Sequence, residues 1–138
     1  MKALCIALAL AVALSGCGVL DSRELWSSGN YVILWIDGPD DAHLAYRVGP
    51  ATTMGVSDPC VSAVAENAAY IAIEQRPPQS TLRPMYVIYA KQARAPGEPP
   101  AQALGEPMHR EAYKAIAARL GLPTLRPVGA EGVCGWDN

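Results

Sequence analysis

The chain has 138 residues, enough for one domain with its own core. Eleven Lys and Arg stand against thirteen Asp and Glu, a net charge of −2 with no basic block. This excludes the clustered cationic footprint that nucleic-acid binding needs.

Met1-Lys2 is a short positive start, and Ala3–Leu14 is apolar throughout, Cys5 only weakly so. The run is too short for a membrane-spanning helix, which needs roughly 20 residues. It matches a signal-peptide apolar core of roughly 7–15. It ends on Leu14-Ser15-Gly16-Cys17, which resembles the lipobox of bacterial lipoproteins. That resemblance implies cleavage before Cys17, a diacylglycerol on its sulfur and an acyl group on the new amine. Two or more chains hold a membrane stably where one does not. By the same resemblance, Gly18 rather than Asp after the cysteine favours the outer membrane, facing the periplasm. The competing reading is an uncleaved hydrophobic N-terminus with a chance cysteine.

Removing residues 1–16 leaves 122 residues, one charge more negative without Lys2. Of four cysteines, Cys5 leaves with the signal and Cys17 carries lipid, so only Cys60 and Cys134 remain to pair. An oxidising compartment permits that bond. It would close a loop of about 75 residues, worth roughly 4.5 kcal/mol in the chain-entropy model. The alternatives are a Cys60 nucleophile or a thiol metal site; both lack a histidine at ligand spacing, since His43 and His109 are isolated.

Residues 17–30 read as a lipidated tether, with Trp26 docking on a single domain over 31–138. Tyr31–Asp37 (YVILWID) is a strand, with Val32, Leu34 and Ile36 on one face and Tyr31, Ile33 and Trp35 on the other. Both faces are apolar, so it is expected to be covered on both sides. Gly38–Asp41 places Pro39 for a type I turn. His43–Val48 returns as the second strand of a hairpin, Leu44, Tyr46 and Val48 opposite His43, Ala45 and Arg47. Gly49–Pro59 reads as a loop. Cys60–Asn67 is read as a short strand, with one helical turn as the alternative. Ala68–Gln75 alternates with Ile71 and Ile73 inward and Tyr70, Ala72 and Glu74 outward.

Three prolines in Arg76–Pro84 exclude a central strand or a helix there. Met85–Ala90 is the last clear strand. Lys91–Pro107, with four prolines, reads as an extended, mobile surface segment, either functional or an inserted loop with no role. Pro107–Pro123 is the one helix: Pro107 suits its first turn, Gly121 its C-terminal cap, and Pro123 stops it. Met108, Ala112, Tyr113, Ile116, Ala117 and Leu120 form a stripe that packs on the sheet, with Arg110, Lys114 and Arg119 off it. Thr124–Asn138 is a tail with room for a short strand before Cys134. The expected fold is α+β, an antiparallel sheet of four or five strands with one C-terminal helix packed on it.

The segments WSSGNYVILWID, AYIAIEQ, MYVIYA and EAYKAIAARLGLP, taken in order over residues 26–125, resemble a pattern in small uncharacterised bacterial proteins, many of them lipoproteins. The resemblance implies a fold and an anchor but no activity. This chain departs from it in the longer Pro-rich segment and in the Cys60 and Cys134 pair. In broad plan it also resembles periplasmic immunity proteins and lysozyme-inhibitor lipoproteins, without the Tyr-rich and Cys signature of the latter.

No catalytic set is visible. Asp37, Asp40 and Asp41 lack the later bidentate Glu of a calcium loop, and GPATTMG lacks the Lys of a phosphate loop. Glu66, Glu74 and Glu111 read as single solvated acids. The expectation is therefore a non-enzyme with no cofactor, no metal and no nucleic acid. It would be a lipid-anchored periplasmic binding module, an immunity protein or inhibitor of an antibacterial effector or hydrolase. The alternative is a structural or assembly lipoprotein, accessory to an envelope complex, with Lys91–Pro107 as its contact. Aromatics and Arg anchor interfaces, so Trp35, Arg47, Tyr70 and Tyr86 are the candidate partner-binding residues, on a sheet face opposite the helix. The competing reading puts them in a second small core.

Overall fold

The computed structural model describes residues 22–76, 83–92 and 100–129. Period-2 alternation of β-branched and aromatic residues builds most of its strands. β1 (Ser22–Ser28), β2 (Tyr31–Ile36), β3 (His43–Gly49) and β4 (Thr52–Gly55) form one antiparallel sheet in that order. A second antiparallel sheet takes β5 (Val61–Glu66), β6 (Tyr70–Gln75), β7 (Met85–Lys91), β8 (Ala101–Ala103) and β9 (Arg126–Pro127), in the order β8-β7-β6-β5-β9. The helix α1 (Arg110–Leu120) follows β8. The fold is α+β and mostly sheet, as expected, but its strands divide between two sheets instead of forming one.

Alternation explains the layering. Ile71, Ile73, Val87 and Tyr89 on one face of the second sheet pack with Ile33 and Leu44 of the first. Tyr70, Ala72, Tyr86 and Ile88, on its other face, pack with Tyr113 and Ala117 of α1. The second sheet is thus the middle of three layers, apolar on both faces. The residues of β6 read as outward are those under the helix.

The predicted hairpin forms, pairing Tyr31 with Tyr46 and Ile33 with Leu44. The Tyr31 and Tyr46 rings meet edge to face with centroids 5.0 Å apart. Pro39–Asp41 makes a short 3-10 turn where the type I turn was expected. At this end of the molecule, Val61 N–H donates to the Ala42 carbonyl at 2.9 Å. At the opposite end Tyr31 Oη–H donates to the Pro100 carbonyl at 2.8 Å. Lys91 Nζ there donates to Glu66 Oε2 at 2.7 Å and the Asn67 carbonyl at 2.8 Å.

Several expectations need correction. The segment 17–30, expected as a tether, is not all free chain: Ser22–Ser28 pairs along β2 and sends Leu25 and Trp26 to the core between the sheets. Gly49–Pro59 is not all loop, since Thr52–Gly55 pairs with β3. A bulge at this pairing leaves Val48 exposed. Lys91–Pro107 is not wholly a free segment: Lys91 ends β7, and Ala101–Ala103 adds a strand to its edge. Residues 93–99 of that segment lie outside the described residues.

The helix starts three residues later than Pro107, because Met108 exchanges both backbone hydrogen bonds with Tyr86, each 2.9 Å, and is held extended. Ala112 faces solvent; Met108, Tyr113, Ile116, Ala117 and Leu120 pack as expected. Gly121 caps α1 at φ 66°, a left-handed conformation that suits glycine. No helix among the described residues is long and apolar enough to cross a membrane.

Candidate functional site

Cys17 and Cys134 lie outside the described residues. Cys60 is 2% exposed and disulfide-bonded. Its φ of 72° is in the left-handed region, a conformation that costs a non-glycine residue about 1–3 kcal/mol. Its carbonyl accepts from Arg76 N–H at 3.2 Å.

The four candidate binding residues do not share a face. Tyr86 is 2% exposed and stacks on Tyr113 of α1, with centroids 4.8 Å apart and planes 16° from parallel. Tyr70 packs against the same cluster under the helix. Trp35 and Arg47 belong to the first sheet, Trp35 half-buried in β2 and Arg47 paired with Glu24 across β2. The correction has a simple cause. A middle sheet has no open face, so the face opposite the helix is covered by the other sheet.

The site that does assemble flanks α1. A cleft of about 550 Å³ runs between the helix, the 122–125 linker and the sheet. Tyr113, Ala117, Ala118, Leu122, Pro123 and Leu125 make most of its wall, and Glu74, Tyr86, Arg110, Lys114 and Thr124 supply the polar groups. Glu74, Tyr86 and Arg110 form one bonded group. Tyr86 Oη–H donates to Glu74 Oε2 at 2.7 Å, Ser62 Oγ donates to Glu74 Oε1 at 3.0 Å, and Arg110 Nε donates to Tyr86 Oη at 3.0 Å. The Arg110 guanidinium also lies 3.9 Å from Glu74 Oε2 and 6.0 Å from the Tyr86 ring centroid. Burial, then the neighbouring Glu74 carboxylate, pushes the Tyr86 hydroxyl above its ordinary range, partly opposed by Arg110. Burial, then Tyr86 and Glu74, does the same to Tyr113. Both phenols stay protonated at neutral pH, and that of Tyr86 acts as a donor that fixes Glu74. A second cavity of about 630 Å³, lined by Arg83, His109 and Glu111 among others, shares Tyr86 and Arg110 as its wall.

On the outer face of the first sheet, Arg23, Glu24, Leu34, Ile36 and Thr53 line a smaller depression of about 290 Å³. Ile36 is 37% exposed there. Among the described residues, no group of three His, Cys, Asp or Glu is placed to hold a metal ion.

Sequence reasoning missed Glu74, Arg110 and Lys114. One signal was available: Glu74 is the lone acid on the Tyr70, Ala72, Glu74 face of β6, and Tyr86 stands opposite it in β7. No protein-family model matches the chain, and no curated protein or solved structure matches it.

Proposed function

We propose that this chain is a lipid-anchored envelope protein that binds a protein partner in the periplasm, as an immunity protein or an inhibitor of an antibacterial effector or hydrolase. The observation that carries the reading is the apolar run Ala3–Leu14 ending on Leu14-Ser15-Gly16-Cys17. The start of the fold supports it. β1 begins at Ser22, five residues after Cys17, a reach of at most about 18 Å of extended chain. Residues 18–21 then hold the body close to the bilayer, and Gly18 directs it to the outer membrane.

The Cys60–Cys134 bond belongs to the same reading. Val128 N–H donates to the Ser62 carbonyl at 3.0 Å, which brings the chain back within two residues of Cys60. Six more residues reach Cys134, about 20 Å if extended. The partner surface in this reading is the outer face of the first sheet. Leu34 and Ile36 supply apolar contact, and Arg23, Glu24 and Arg47 a charged rim, the usual anatomy of an interface.

Two measurements test it. Mass spectrometry of the mature chain should show an N-terminal Cys17 carrying diacylglycerol, and Cys17→Ser should release the protein from membranes. A photo-crosslinking residue in place of Thr53, in growing cells, should yield one adduct with a secreted hydrolase or toxin, and deletion should sensitise cells to that toxin. Adducts with several proteins of one envelope machine, without toxin sensitivity, would replace the immunity reading with the assembly one.

A further inference from the structure

We propose that the cleft beside α1 binds a single-chain fatty acid, its carboxylate held by Arg110 and Lys114 and its alkyl chain lying along Tyr113, Ala117 and Leu122.

Ala117 and Ala118 give the helical wall of the cleft short side chains, and its open volume of about 550 Å³ falls within the roughly 300–1,000 Å³ of small-molecule sites.

Charge selects the head group. Both oxygens of Glu74, the one acid in the wall, accept hydrogen bonds from Tyr86 and Ser62. Arg110 gives Nε to Tyr86, its Nη2 lies 3.9 Å from Glu74 Oε2 in a long ion pair, and its side chain is 62% exposed. A carboxylate arriving at the two terminal nitrogens would replace that long contact with the bidentate geometry that guanidinium favours. Lys114, one helical turn on, adds a second cation; its present partner is Glu111, at 3.2 Å on the exposed face.

The lining selects the tail. Apart from Thr124, the polar groups gather around Glu74, Tyr86, Arg110 and Lys114, and the remaining wall is apolar. A bound peptide would bring backbone N–H and C=O groups along its whole length, each needing a partner. An alkyl chain brings none. Location supplies the source: Arg110 opens α1 beside Glu74 and Tyr86, toward the end of the sheets where β1 begins. This last step rests on the proposed lipid anchor, which places that end against the bilayer.

All described strands and α1 lie within residues 22–129, so a soluble chain starting at Gly18 keeps every pairing and is the form to test. Sodium decanoate would be titrated into it, below the micelle range, by calorimetry and by amide NMR. The expected result is saturable 1:1 binding, with shifts confined to α1 and residues 122–125. Binding should weaken about tenfold in Lys114→Gln and more in the Arg110→Gln, Lys114→Gln pair. It should vanish in Ala118→Trp, which fills the cleft from an exposed position and leaves the fold intact by circular dichroism. Decanol bound as tightly as decanoate would overturn the carboxylate assignment. No saturable binding, or decanoate binding unchanged in Ala118→Trp, would overturn the site. Shifts in the same residues with Ac-Leu-Leu-Asp-NH2 but not decanoate would give the cleft to a peptide instead. Lipidation of Cys17 is read separately by mass, so a failed anchor is distinguishable from a failed cleft.

Discussion

Asn67 ties the turn after β5 to the end of α1, and its removal should loosen both. Its Nδ2 donates to the Leu120 carbonyl at 2.8 Å and the Gly121 carbonyl at 3.3 Å. Its Oδ1 accepts from Ala69 N–H at 3.0 Å and Tyr70 N–H at 2.9 Å. Asn67→Ala removes all four bonds. Each is worth about 0.5–1.5 kcal/mol net, and the two with Ala69 and Gly121 are exposed, so their backbone groups regain water. The loss should total about 2–3 kcal/mol. For a domain of this size that lowers Tm by roughly 10 °C, at about 3–5 °C per kcal/mol. Thermal and urea unfolding followed by circular dichroism would measure it, with an unchanged urea slope showing that the loss is one of stability. Hydrogen exchange should rise at the Tyr70 amide and at the last turn of α1. A Tm within about 2 °C of the parent, or unchanged exchange in α1, would refute the view that this side chain joins the helix to the sheet.

Lys91 should be the most sensitive surface cation: its side chain is 18% exposed, it bonds Glu66 and the Asn67 carbonyl, and it lies 5.6 Å from the Tyr31 ring centroid. Lys91→Met should cost about 1–2 kcal/mol in urea unfolding, between an exposed and a buried ion pair. Burial alone would raise the Glu66 carboxyl, but hydrogen bonds from Lys91 and Ser28 outweigh it and hold the group below its ordinary 4.5. The stability this carboxylate adds is therefore full above about pH 4.5 and lost as pH falls through the lower folded value, so the parent and Glu66→Gln should converge in acid. Burial, then Asp58, pushes the Tyr89 hydroxyl up to about 12. Its contribution is present below pH 10 and disappears as pH rises through about 12, so alkaline unfolding should set in at higher pH in Tyr89→Phe. Cys134→Ser should lower stability by as much as about 4.5 kcal/mol relative to the oxidised parent, and a reductant should then have no further effect.

The elements legible in the sequence are those whose residues repeat their choice of side. YVILWI, YIAIEQ and MYVIYA alternate cleanly, and REAYKAIAARL carries a helical stripe with Gly121 at its end, so β2, β6, β7 and α1 stand where periodicity puts them. β1 (SRELWSS), β4 (TTMG), β8 (AQA) and β9 (RP) are short or polar strands, and all four lie at sheet edges. Edge strands are held by backbone pairing with a neighbour, which leaves little trace in side-chain pattern. The two-sheet division was hidden for a different reason. Apolar residues on both faces of β6 and β7 say that both faces are covered, but not by what. A helix on one side and water on the other would demand polar residues at Ile71 and Ile73 or at Ala72 and Ile88, and none stands there. Tyr70, Glu74 and Tyr86 break the apolar run at the rim of one face, where the pattern suggests solvent. The register that sets Glu74 against Tyr86, and the backbone bonds of Met108 that bring Arg110 to them, are long-range facts. Such a site is assembled by pairing, and so becomes visible only when the strands are laid side by side.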